Sequence, residues 1–162
     1  MGHGQQGWRV SRIRRQSPST ITVELSVVER MLLSRLAEQL IEVLSDRTDP
    51  AMTRLLPNAY PDDPEASAEF YRFTADGLTE RKLAGARAVL AAVSNDGPVV
   101  LTEPAPVQWL HAITDLRLTI ANRLGIAHDG DLGRTDEAAM PLQHSYYWLG
   151  ELQEQLVEAL ER

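Results

Sequence analysis

The sequence predicts a mainly α-helical domain, four to five helices packed against a small N-terminal β-hairpin. Three observations carry that expectation. Apolar residues recur every three to four positions through most of the chain after Ser26, the period of an amphipathic helix. Between residues 8 and 25 they alternate with polar neighbours instead, the period of a half-buried strand. A chain of 162 residues, 43% hydrophobic and 24% charged, is also long enough to bury one core without disulfides.

The elements follow in order. Residues 1–7 are glycine-rich and polar and are expected to be disordered, leaving 8–162 as a single domain. Trp8 and Val10, then Ile21, Val23 and Leu25, lie on either side of Ser17-Pro18-Ser19, which supplies the turn of a hairpin. Ser26 and Glu29 form an S-x-x-E capping box that opens a helix running to Ser45. Its inward row is read as Val28, Leu32, Leu36, Leu40 and Leu44, with Met31 and Val43 beside it. A short helical turn at 51–56 precedes Pro57, Pro61 and Pro64, which bar a regular element between them.

Asp63 is an N-cap for the next helix, with Pro64 in its first turn and Glu65 at the positive end of its dipole. That helix carries Phe70 and Phe73 and is expected to break or kink at 74–77. It resumes through Leu83, Ala86, Leu90 and Val93 to a stop at Asn95-Asp96-Gly97-Pro98. Residues 99–101 are a candidate third strand. Thr102 and Pro104 begin a helix that buries Trp109, Ile113, Leu116, Ile120 and Leu124 and ends at Gly125. Residues 127–143 are acidic and aperiodic, as a mobile loop would be. Residues 145–162 form the last helix, with Leu149, Leu152, Leu156 and Leu160 inward.

Composition narrows the chemistry. There is no cysteine, which removes disulfides, thiolate metal sites, a cysteine nucleophile and an intrinsic thiol switch. No apolar run approaches the roughly 20 residues of a membrane span, and no secretory h-region is visible, so a cytoplasmic location is expected. Fifteen arginines stand against one lysine, a bias of the kind a GC-rich genome imposes. The net charge of −7 divides into +3 over residues 1–24 and −10 over the remainder. An acidic body disfavours broad contact with nucleic acid. The basic arm of Arg9, Arg12, Arg14 and Arg15, with Trp8, suits either a phosphate or an acidic partner, or simply protects a strand edge.

No constellation assembles a catalytic, cofactor or metal site. His3, His111, His128 and His144 lack metal-ligand spacing, and His128-Asp129-Gly130-Asp131 lacks the rest of a calcium loop. Asp62, Asp63, Glu65 and Glu69 suit general acid–base work, a divalent cation, or plain helix capping, which leaves only Asp62 spare. His111 and Asp115 share a helix face, flanked by Arg117 and Arg123. They form a surface pair or a buried polar contact between helices, since no nucleophile accompanies them. No G-x-x-x-x-G-K-[ST] phosphate loop occurs. Tyr146, Tyr147 and Trp148 are consecutive, and residues about 100° apart on a helix cannot all face one core. One of them is exposed or meets another chain, which points to an interface, a homodimer included.

Several segments together resemble a family of actinobacterial domains of unknown function, typically encoded beside the ClpS protease adaptor. They are Leu55-Leu56-Pro57-Asn58-Ala59-Tyr60-Pro61-Asp62-Asp63-Pro64-Glu65-Ala66, then Glu69-Phe70 with Thr74, Trp109-Leu110, Asp115-Leu116-Arg117-Leu118, Arg123-Leu124-Gly125, and Trp148-Leu149 with Leu152-Gln153-Glu154 and Leu156-Val157. Their order spans residues 20–161. The resemblance implies a non-enzymatic protein, and some members are regarded as oxidative-stress regulators of transcription that act with an alternative sigma factor. In those relatives the redox response uses a cysteine pair, which this chain lacks. Thr114 stands where asparagine is expected before Asp115, and Ala121-Asn122 where small residues with glycine are usual.

The expected function is therefore a protein-interaction regulator linked to stress and transcription, with a sigma factor or RNA polymerase as partner. An accessory of Clp-type proteolysis is the alternative. A small metal-dependent hydrolase using Asp62, Asp63, Glu69 and a histidine is a third reading, and it requires those groups to converge in a pocket.

Overall fold

The computed structural model of the chain describes residues 12–56 and 64–162, with backbone only at Pro64, Ala66, Ser67 and 70–73. Its order is β1 (Ile13–Ser17), β2 (Thr20–Val23), α1 (Val27–Leu44), α2 (Met52–Leu55), α3 (Pro64–Val93), β3 (Val99–Thr102), α4 (Ala105–Leu124), a 3₁₀ turn (Glu137–Ala139) and α5 (Met140–Glu161). The fold is mainly helical with a small three-stranded antiparallel sheet in the order β1-β2-β3, as the sequence predicts.

The sheet forms where the period is two. Ile21 and Val23 turn to the core from β2 and Val99 and Leu101 from β3, with Ile21 opposite Leu101 and Val23 opposite Val99. The register of β1 on β2 shifts between Arg15 and Ser17, a bulge at the hairpin end. The free edge of β1 is covered by α5. Gln155 Oε1 accepts from the backbone N–H of Arg12 at 2.8 Å and of Ile13 at 3.2 Å. The candidate strand at 99–101 is real and one residue longer.

The capping box of α1 is complete. Ser26 Oγ accepts from the Glu29 amide at 3.1 Å and Glu29 Oε1 from the Ser26 amide at 2.8 Å. The inward row of α1 differs from the expected one. Leu33, Leu36, Ala37, Leu40, Val43 and Leu44 are buried, while Val28 and Met31 lie outside. A straight i, i+4 row drifts about 40° per step around the helix, so Val28 and Leu44 cannot share a face.

Helix α3 runs unbroken from Pro64 to Val93, so the expected break at 74–77 does not occur. Gly77 points to open space, and a solvent-facing glycine costs a helix only about 1 kcal/mol. Ala75, Leu83, Ala86, Val89 and Val93 carry the buried stripe across it, packed chiefly on α1 and α4. The Asp63 N-cap and the Phe70 and Phe73 side chains lie outside the described residues. At its C-terminal end, Gly97 takes φ +91°, the left-handed conformation a side chain resists.

Helix α4 buries all five residues expected of it and ends at Gly125, whose φ of 74° makes the left-handed cap. Helix α5 starts at Met140, five residues before the expected Ser145, because Pro141 in its first turn is pre-set for a helix. Leu149, Leu152 and Leu156 are buried, with Leu160 at the margin. The segment before it is tied by Asp131, whose carboxylate accepts from the amides of Ala127 and Gly133, both at 2.9 Å. Those two bonds hold the Asp131 carboxyl below its usual range.

Candidate functional site

Asp115 sits in the middle of α4 with only 3% of its surface exposed. Lys82, on the facing side of α3, reaches it with Nζ 2.7 Å from Oδ1. Burial pushes the Asp115 carboxyl up, and the Lys82 ammonium offsets part of that rise. His111, one turn earlier on α4, is exposed and exerts a weaker pull in the same direction as Lys82. Of the two readings of His111 and Asp115, the buried contact between helices is the one formed, and Lys82 rather than His111 is the partner. The pair lies at one wall of a cleft of about 500 Å³ between α3 and α4. Small residues at Ala84, Gly85 and Ala112 keep it open, with Gln108 across from Gly85.

Arg117 leaves the other side of α4 toward α5. Its guanidinium lies 4.3 Å from the centre of the Tyr146 ring and Nη1 donates to Gln153 Oε1 at 2.9 Å. Gln153 in turn donates from Nε2 to Thr114 Oγ1 at 2.7 Å. A Cβ at Gly150 would stand 3.2 Å from the Arg117 Cζ, so the absent side chain lets the guanidinium lie flat on α5. Thr114 is thus a working acceptor in this lock between α4 and α5.

The aromatic run divides among three environments. Tyr146 is held by Arg117 and meets Tyr147 edge-on at 5.8 Å. Trp148 donates from Nε1 to Glu29 Oε2 at 3.2 Å, tying α5 to the first turn of α1. Tyr147 alone points out, 57% exposed.

The basic arm is engaged at home. Arg12 pairs with Glu29, and Arg14 stands 3.7 Å from Glu24. Arg15 donates to the Ala159 carbonyl at 3.0 Å and the Pro18 carbonyl at 2.8 Å. Arg9 lies outside the described residues, as do Asp62 and Asp63 of the proposed acidic cluster and His3. Glu69 is exposed on α3. Among the described residues no three histidine, aspartate or glutamate side chains come together as a metal site.

Among the described residues the most exposed large apolar side chains lie on α1, and they include Val28 and Met31, which the sequence reading places in and beside the inward row. Val27, Val28 and Met31 are 72%, 74% and 65% exposed along the first two turns of α1. They border a groove of about 650 Å³ that continues past Ser34, Arg35 and Glu38 on one side and Val93 and Asp96 on the other. Arg30 shapes its wall by donating to the Val93 and Asn95 carbonyls at the end of α3. Rotating the wheel of α1 to centre Leu33, Leu36 and Leu40 would have placed this strip outside.

The arrangement defines a class: a mainly helical domain on a small antiparallel sheet, braced by buried polar contacts between its long helices. Over residues 6–160 the chain matches the family described as a domain of unknown function, DUF2017, and it belongs to that family. No curated protein and no solved structure matches it. Among the described residues no helix is long and apolar enough to cross a membrane.

Proposed function

We infer that the protein is a non-enzymatic regulatory domain that works by binding another protein, and that the apolar strip of α1 is its contact surface. The observation that carries this reading is the exposure of Val27, Val28 and Met31 side by side on one helix. Three large apolar side chains in water gain nothing for the fold, and adjacent ones mark contact surfaces. The groove beside them, with Arg35 and Glu38 at its margin, suits an amphipathic helix of a partner. In its finer form the partner is a sigma factor or RNA polymerase and the setting is stress-linked transcription. The family resemblance motivates that form, and the missing cysteines put any redox sensing in the partner.

The test uses a tagged full chain and the variant Val28→Glu/Met31→Glu, which alters only exposed positions. Wild type is expected to bind purified sigma factor or polymerase, and the variant to lose at least about tenfold in affinity with an unchanged melting temperature. Selective binding to Clp components through the same strip replaces the partner with the proteolytic machinery. Equal binding by wild type and variant removes α1 as the surface.

A further inference from the structure

We propose that the cleft between α3 and α4 is a binding site for a small organic anion, a carboxylate or phosphate monoester on a short apolar body. The site is separate from the α1 strip, and the proposal goes beyond the protein-binding reading. The lining charge favours such a ligand. Arg81 and Lys82 from α3 and His111 from α4 converge on a space whose only acid is Asp115. Asp115 is already paired with Lys82. A positive cleft on a chain of net charge −7 concentrates anions where the rest of the surface repels them.

The unused hydrogen-bonding capacity points the same way. An ammonium carries three donors, and Lys82 gives one to Asp115. Arg81 is exposed and engages no carboxylate among the described residues, in contrast to Arg12, Arg47, Arg123 and Arg134. Lys82 is also the only lysine in a chain with fifteen arginines. A compact ammonium can bond Asp115 and still turn donors to the cleft, whereas a planar guanidinium would be committed to one plane. Leu78 and the small residues at the floor supply apolar contact for the body of the ligand. The volume of about 500 Å³ suits a molecule of that size.

The single lysine makes the experiment selective. Full-length protein carrying lysine labelled with ¹³C at Cε alone gives one such NMR signal, that of Lys82, to be followed while benzoate or phenyl phosphate is added. Sodium chloride at matched ionic strength and benzyl alcohol are the controls. A saturable shift with benzoate, phenyl phosphate or both is expected, and which of them saturates assigns the carboxylate or the phosphate class. Arg81→Glu, an exposed change that leaves the Lys82–Asp115 pair intact, is expected to weaken binding at least about tenfold with an unchanged melting temperature. A shift that never saturates, that chloride reproduces, or that persists undiminished in Arg81→Glu overturns the proposal.

Discussion

At the scale of single residues, the most consequential contact is the one between Lys82 and Asp115, at 2.7 Å. An ion pair taken out of water gains little net stability, but removing one partner strands the other. Lys82→Met is therefore expected to cost about 3 kcal/mol at neutral pH in denaturant titration, while Lys82→Met/Asp115→Leu recovers most of it. The pH dependence has a definite sign. Burial raises the folded Asp115 carboxyl above its ordinary 3.8, so the unfolded chain ionises first as pH rises. Stability is lost across that window, and losing the Lys82 ammonium widens it. The penalty of Lys82→Met should shrink toward zero below pH 3.8, where both states are protonated. The sequence revealed Asp115 as a polar residue in a helix with an apolar face, but not its partner. Lys82 is 33 residues away, and only the packing of α3 on α4 brings the two together.

At the scale of elements, local rules succeeded where one physical effect dominates and failed where two compete. The α1 capping box, the Gly125 cap and the five buried residues of α4 each depend on a single local requirement, and all were legible. The continuity of α3 was not. Turn-forming residues at 74–77 oppose the helix, while the stripe from Ala75 to Val93 favours it, and tertiary packing wins. Gly77→Ala is then expected to raise stability by about 1 kcal/mol, since the added methyl meets nothing within 4 Å. A loss in thermal or denaturant unfolding would place a break there after all. The interface candidates show the same division. The sequence requires that Tyr146, Tyr147 and Trp148 part ways, and Tyr147 turns outward, whereas a straight row from Val28 to Leu44 hides the exposed strip of α1 by placing Val28 inside.

Across the whole molecule, long-range polar contacts fasten the helices to one another and to the sheet. Arg123 forks onto Asp49, with Nη1–Oδ1 at 3.1 Å and Nη2–Oδ2 at 2.9 Å, fixing α4 to the turn before α2. That bond holds the Asp49 carboxyl below its ordinary 3.8, the opposite sense to Asp115. Its contribution is complete above 3.8 and disappears as pH falls through the lower folded value. Asp49→Asn should accordingly be less stable than wild type at neutral pH and converge with it in acid, as thermal melts across a pH series would show. A difference that stays constant with pH would assign the loss to packing instead.

The functional account rests on the exposed α1 strip receiving a protein partner. The most direct measurement places a photo-crosslinking amino acid at Met31, and separately at exposed Glu151 on α5, in the full chain inside cells. The account predicts a discrete adduct with a sigma factor or polymerase subunit from position 31 and none from position 151. No adduct from position 31, or the same adducts from both positions, would contradict it.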